Sequence, residues 1–224
     1  RNSYVGLSGG FGTVTLGNVW VALDDVWYIP NAAFDSAFAP GSNVLSANNY
    51  EDNPGNTIKY VSPDFGGLVG SVSYKGKGTG TFKQTDFSLK YAAGPLTAAM
   101  GYEERDNTVA NTKAKITMLM GAYDLGVATL RGGYSTTRNI TAAKTDEWQI
   151  GADVPLSANL KISGGYASSE DDGGEERTGY GIAAIYSLSK RTDLYAGFRQ
   201  NKSELGGAKV DEGRLLGLGV RHSF

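Results

Sequence analysis

The feature that most constrains this chain is a hydrophobic period of two, sustained almost from end to end. Phe87, Leu89 and Tyr91 alternate with Asp86, Ser88 and Lys90. Leu96, Ala98, Met100 and Tyr102 alternate with Thr97, Ala99, Gly101 and Glu103. Ala114, Ile116, Met118 and Met120 alternate with Lys113, Lys115, Thr117 and Leu119. The same rhythm returns at Trp148–Val154 and Tyr180–Leu188, and Leu216, Leu218, Val220, His222 and Phe224 close the chain on one parity. Side chains on a strand point to opposite faces in turn, so such alternation predicts strands with one apolar face. No amphipathic stripe of helical period and useful length competes with it.

Turn signals divide the rhythm into 13 expected strands, roughly 2–8, 11–20, 56–63, 67–75, 83–93, 95–104, 112–123, 127–137, 146–156, 159–168, 175–188, 192–202 and 212–224. Short connections such as Gly94-Pro95, Asp124-Leu125-Gly126 and Ser189-Lys190-Arg191 alternate with longer polar ones such as Arg105–Asn111, Thr137–Asp146 and Ser168–Gly174. Tight hairpins at one end and long ones at the other are the pattern of an up-and-down barrel. The count is odd, so the first and last strands of a meander would run in the same direction and could not close it antiparallel. An open edge in lipid strands unpaired backbone groups. Three further strands before Arg1 would bring the total to 16. Arg1 also opens directly into strand-like sequence, without an initiator Met or signal peptide, which reads as a processed form or a fragment.

One connection breaks the scheme. Residues 21–55 hold Asp24, Asp25, Asp35, Glu51 and Asp52 with no Lys or Arg, together with Trp27, Tyr28, Phe34 and Phe38. Loops of this length are usually functional or disordered, and the aromatics argue that this one packs on something. A lid over the mouth is the plainer alternative.

Soluble sandwiches also alternate, but they fill their apolar side with bulky residues. Here that parity is diluted by Ala and Gly, and its aromatics gather at the strand ends. Tyr74, Tyr102, Tyr134, Trp148, Tyr166, Tyr180 and Phe198 fall beside long loops, and Tyr60, Tyr91, Tyr186 and Phe224 beside short turns. Two aromatic rows around an aliphatic band match membrane-interface girdles. The other parity then lines a lumen. It carries Lys59, Lys75, Lys90, Lys113, Lys115, Arg131, Lys161, Arg177, Arg199 and Arg221 against Asp86, Glu103, Glu147, Asp153, Glu175 and Asp193. So many charges on one face need water. The fold expected is therefore all-β: a transmembrane antiparallel up-and-down barrel forming one domain over 1–224.

Composition excludes much else. Net charge is −2, which gives no case for nucleic acid. Without Cys there is no disulfide, thiolate metal site or cysteine nucleophile. The lone His222 falls on the lipid parity, so acid–base catalysis has no visible partners and no enzyme is expected. Neither a metal nor a cofactor is expected. The acidic run Glu170–Glu176 lacks the spacing of a calcium loop and reads as a solvated turn. Gly76-Lys77-Gly78-Thr79-Gly80 lacks the ending of a phosphate loop.

At three places the residues themselves resemble a known family. Arg1-Asn2-Ser3-Tyr4-Val5-Gly6-Leu7-Ser8 followed by Phe11-Gly12-Thr13-Val14-Thr15-Leu16-Gly17, then Asn56–Pro63, and the ending Val220-Arg221-His222-Ser223-Phe224 are similar to Gram-negative general porins of the beta-proteobacterial and neisserial branch. The resemblance implies a sixteen-stranded barrel in the outer membrane, amid lipid and lipopolysaccharide. It also implies assembly as a homotrimer and passage of small hydrophilic solutes and ions. It places residues 21–55 inside the barrel as a constriction. It gives Phe224 as the signal read by the barrel assembly machinery. One departure stands out: the family usually continues Gly-Arg-Gln where this chain has Gly17-Asn18-Val19.

On this reading, acids of the loop, Asp24, Asp25 and Asp35, face basic wall residues Lys59, Lys115 and Arg131 near mid-height. Lys90, Lys113, Lys161 and Arg199 lie elsewhere on the lumen wall. A transverse field of that kind orients polar solutes in a general diffusion channel. The excess of wall bases predicts a weak anion preference. A substrate-specific channel is the alternative, which scattered inward aromatics (Tyr4, Tyr123, Tyr195) favour little.

Overall fold

The structure is a computed structural model and describes residues 2–141 and 143–223. Its strands form one sheet in strictly sequential order, every neighbour antiparallel. They are β1 (Ser3–Gly9), β2 (Gly12–Asn18), β3 (Thr57–Val61), β4 (Leu68–Lys75), β5 (Phe82–Ala93), β6 (Leu96–Asn107), β7 (Thr112–Asp124), β8 (Thr129–Arg138), β9 (Lys144–Pro155), β10 (Leu160–Asp171), β11 (Glu175–Ser189), β12 (Thr192–Leu205) and β13 (Ala208–His222). Among the described residues β1 and β13 pair only with β2 and β12. Several polar connections expected as loops are paired strand instead. β12 and β13 continue to Leu205 and Ala208, because alternating polar residues can keep their ladder bonds in water as well as in lipid.

Short turns use residues suited to left-handed backbone. Gly94, at φ 56°, makes the tight corner between β5 and β6 at no steric cost. The one long connection is the 38 residues between Asn18 and Thr57, whose only regular pieces are three single 3-10 turns. No helix among the described residues is long and apolar enough to cross a membrane.

The long segment reports the curvature of the sheet. Asp25 touches Lys59 on β3, and Phe38 lies over Gly217 on β13. Ten strand spacings on a flat sheet span about 48 Å. Thirteen fully extended residues reach at most about 45 Å, and these are folded into turns. The sheet must therefore wrap around the segment.

Register assigns each face. Lys59, Ser73, Asp86, Glu103 and Ile116 lie in one row across β3–β7, on the concave face that the long segment covers. The convex face carries the aliphatic band, with Leu216 and Leu218 79% and 84% exposed. The rings of Trp148 and Tyr166 lie tilted, 5.4 Å apart, on it, and those of Tyr180 and Phe198 lie 6.0 Å apart. The alternation thus means lipid-type surface outside and ionic surface inside.

β7 is the exception, and it corrects the sequence reading. Ile116, Met118 and Met120 point inward and are buried under the long segment, while Leu119 and Tyr123 point outward. Lys113 and Lys115 are therefore on the outer face. Both bind the Glu104 carboxylate, Lys115 at 3.1 Å, and Tyr102 donates to Glu104 at 3.1 Å. Neither lysine is a lumen residue. The reason is packing: an aliphatic patch of the inserted segment needs an apolar wall, so β7 inverts its rhythm. Tyr123 joins the outer aromatic row near the short turns.

Candidate functional site: a chain segment fixed across the lumen

The segment has an apolar underside and an acidic edge. Val21, Leu23, Val26, Ile29 and Ala47 pack with Ile116, Met118 and Met120 into one buried cluster. Burying each such side chain is worth roughly 1.5–3 kcal/mol. Further along, Ala32 sits against Gly151 and Gly165, where a Cβ on either glycine would meet its methyl group. Phe38 lies on Gly197 and Gly217, and the Phe38 carbonyl occupies the space that a side chain at Gly181 would need. Small residues on β9–β13 thus form the seat.

Polar side chains of the wall satisfy the segment's backbone. The Ala22 N–H donates to Ser73 Oγ (2.8 Å), and Ser73 donates on to Asp86 (2.9 Å). The Ala33 N–H donates to Ser163 Oγ at 2.6 Å. Fully buried Glu147 accepts from the Ser46 and Ala47 N–H groups and from Ser135 and Ser169. Gln84 donates to the Glu51 carbonyl and to Glu103, which Arg105 also holds at 2.9 Å. Buried backbone donors and acceptors must be paired; turns within the segment pair many of its own, and wall side chains take those that face the sheet. Glu147, Gln84 and Ser163 were not singled out from sequence as partners of the loop, because nothing local shows what they meet.

The sequence-expected residues divide into three roles. Lys59 bonds Asp25 (2.6 Å) and the Val21 carbonyl (3.3 Å), and only 8% of it is exposed. Arg131 pairs with Asp153 at 2.7 Å and donates to the Ile29 carbonyl at 3.0 Å. Arg199 donates to the Ala37 carbonyl at 2.8 Å. These three cations clamp the segment to the wall. Asp24, Asp25 and Asp35 share a cavity of about 620 Å³ with Lys90, which sequence reading placed away from the loop. Lys161 is exposed on the inner face of β10, opposite Ile185. Phe224 lies outside the described residues.

The acidic edge carries its own electrostatics. Asp24 accepts from the Tyr50 hydroxyl at 2.5 Å. Burial pushes the Asp24 carboxyl above its ordinary value; the hydrogen bond from Tyr50 opposes this, and Asp52 and Asp25 add to it. Burial, with the Asp24 carboxylate beside it, likewise pushes the Tyr50 hydroxyl up, so it stays a donor. Ala33, Phe34 and Asp35 all adopt left-handed backbone, at φ 54°, 60° and 49°. That conformation costs roughly 1–2 kcal/mol per residue. It turns Asp35 into the open lumen while Ala33 stays buried.

The sequence profile of the Gram-negative porin family matches residues 1–205. Outer membrane porin protein 32 of Delftia acidovorans is 27% identical, aligned over all of this chain and 74% of that protein. The major outer membrane protein P.IB of Neisseria gonorrhoeae is 24% identical, over all of this chain and 73% of its own length. Among solved structures, an anion-selective porin from Comamonas acidovorans superposes with a TM-score of 0.84 at 23% identity, covering the whole chain and 78% of that porin. A porin refined at 1.8 Å gives a TM-score of 0.73 at 16% identity. Profile, relatives and fold agree: this chain belongs to the Gram-negative porin family, and it is an outer-membrane channel rather than an enzyme.

Proposed function

We propose that the segment over residues 21–55 is the constriction of a general diffusion pore and that the pore weakly prefers anions. The observation that carries this reading is the pairing state of the lumen charges. Asp25, Glu51, Glu103, Asp153 and Asp193 each sit in an ion pair, Glu147 is enclosed by four donors, Asp86 accepts from Ser73 and Gln84, and Glu175 keeps only the Ser203 hydroxyl among the described residues. On the wall, Lys90, Lys161, Arg177 and Arg199 have no carboxylate partner among the described residues. Lys90 shares one cavity with Asp24 and Asp35, and Arg177 shares another with Asp35 and Asp52 of the segment. Low-dielectric walls focus such a field, and ordered charges orient a polar solute as it passes. The similar Comamonas porin is described as anion-selective, which supports the sign.

The same reading takes the pore as one of three in a homotrimer, in keeping with a similar Vibrio cholerae protein described in trimer form. Its surroundings are outer-membrane lipid and lipopolysaccharide, reached through the barrel assembly machinery with Phe224 as signal.

The test is the reversal potential of the full-length porin in a potassium chloride gradient across a planar bilayer. The wild type should favour chloride by a small factor, and Lys90→Glu should move the reversal potential towards potassium. A reversal potential that Lys90→Glu leaves in place would remove Lys90, and the cavity it shares with the acids, from the conduction path.

A further inference from the structure

Below the inserted segment, on the short-turn side, the lumen wall is no longer uniformly polar. Phe34 of the segment, Ile185, Tyr195 and Leu215 of the wall, and the Asp193–Arg221 pair line a cavity of about 370 Å³. That size lies within the roughly 300–1,000 Å³ that holds small organic ligands. Register builds it. Ile185, Tyr195 and Gly219 form one inward row across β11–β13, with Ser187, Asp193 and Arg221 in the next row towards the turns. Gly219 leaves room for the Tyr195 ring, since a Cβ there would lie 2.5 Å from its Cζ.

The polar end is biased positive. Arg221 gives Nε (3.2 Å) and Nη2 (2.7 Å) to the same oxygen of Asp193, whose other oxygen accepts from Ser187 at 2.8 Å. This fixes the guanidinium and leaves Nη1 directed at no protein acceptor among the described residues. Lys161, opposite Ile185 on β10, adds a second cation beside the single carboxylate. Phe34 and Leu215 pack on the buried cluster of Ala33, Phe38 and Ala183, whereas Ile185 and Tyr195 extend the apolar wall beyond that seat, where water gains nothing from bare carbon. A fixed cation at the edge of an apolar recess is complementary to an anion with a greasy body.

We propose that this recess is a binding subsite for organic monocarboxylates carrying an apolar group of about phenyl size. The carboxylate meets Arg221, with Lys161 on the neighbouring strand adding positive charge outside the lining, and the ring lies among Phe34, Ile185, Tyr195 and Leu215. The proposal rests on the channel reading above and gives that channel a preferred class of solute.

The test compares three compounds as blockers of chloride current through the full-length porin: 3-phenylpropionate, acetate and 3-phenylpropanol. The phenylpropionate should reduce current at a concentration at least tenfold below that of either control. The double variant Ile185→Asn/Leu215→Asn should remove that advantage over acetate, and Arg221→Gln should remove it over the alcohol. Equal block by acetate would overturn the apolar half of the site, and equal block by the alcohol its cationic half. If no current flows in any salt, the channel reading falls by itself. The recess is then judged by equilibrium dialysis of labelled phenylpropionate against the detergent-solubilised protein. Binding there that the double variant leaves unchanged overturns the subsite.

Discussion

The ring of Phe38 rests on the backbone of Gly197: a Cβ added to that glycine would lie 2.4 Å from Cδ2 of the ring. Gly217, its direct partner across β12 and β13, supports the far edge of the same ring. The two glycines are not needed for backbone freedom, since neither has a positive φ. Their role is to make room, and the room determines where the segment crosses the lumen.

Gly197→Val should therefore act on the pore while sparing the barrel. The branched side chain takes the seat, and the segment lifts off β12. Single-channel recordings should show a changed and noisier conductance, whereas strand content by circular dichroism stays as in the wild type. Phe38→Ala should loosen the same seat by removing the ring, at a cost of about 3 kcal/mol. A steady conductance of wild-type size in both variants would show that the seat does not position the segment.

Glu147 should be intolerant of its own amide. Every partner of its two oxygens is a donor, two backbone N–H groups and two hydroxyls. Glu147→Gln would turn an NH2 group towards donors and leave part of the set unpaired in a buried site. The expected loss is about 2 kcal/mol, visible as an earlier transition in thermal unfolding from detergent. An unshifted transition would mean that water already serves those N–H groups.

Lys115 offers a control that separates the two faces of the wall. Its ammonium group binds Glu104 on the outer side, back to back with Ile116 in the lumen. Lys115→Glu should leave the reversal potential where it was, in contrast to Lys90→Glu. A shift as large as that of Lys90→Glu would place Lys115 in the conduction path and reverse the register assigned to β7.

These residues also mark what the sequence could and could not disclose. Strand number, order and the sidedness of most strands follow from the period of two, since lipid and water impose opposite demands on alternate residues. β7 defeats that reasoning, because both of its parities carry apolar residues: Ile116, Met118 and Met120 on one, Leu119 and Tyr123 on the other. A clue was present in Val21, Leu23, Val26 and Ile29, an aliphatic run that joins the loop's aromatics and requires an apolar bed. Lys59 and Arg131 were legible as lumen cations because their parity is plain. That both bind backbone carbonyls of the segment was not, since those contacts join residues 38 and 102 positions apart. Lys90 was misplaced in height because barrel strands tilt by about 35–45°, so position along a strand does not give depth.

Asp24 should make selectivity depend on pH earlier than an ordinary aspartate would. Burial favours its neutral form, so its folded pKa lies above 3.8. In the window between 3.8 and that raised value the folded protein holds a proton that the unfolded chain has released. Loop packing is therefore favoured on acidification through this window and disfavoured as pH rises through it, with no further change once Asp24 is ionised in both states. For conduction, the segment loses one negative charge as pH falls through the folded pKa. The preference for anions should then strengthen at a pH where aspartates in water are still charged. Asp24→Asn should show the strengthened preference at neutral pH and lose that part of the titration, as followed by reversal potentials from pH 7 downwards. A variant that keeps the full wild-type pH profile would remove Asp24 from the groups that set the selectivity.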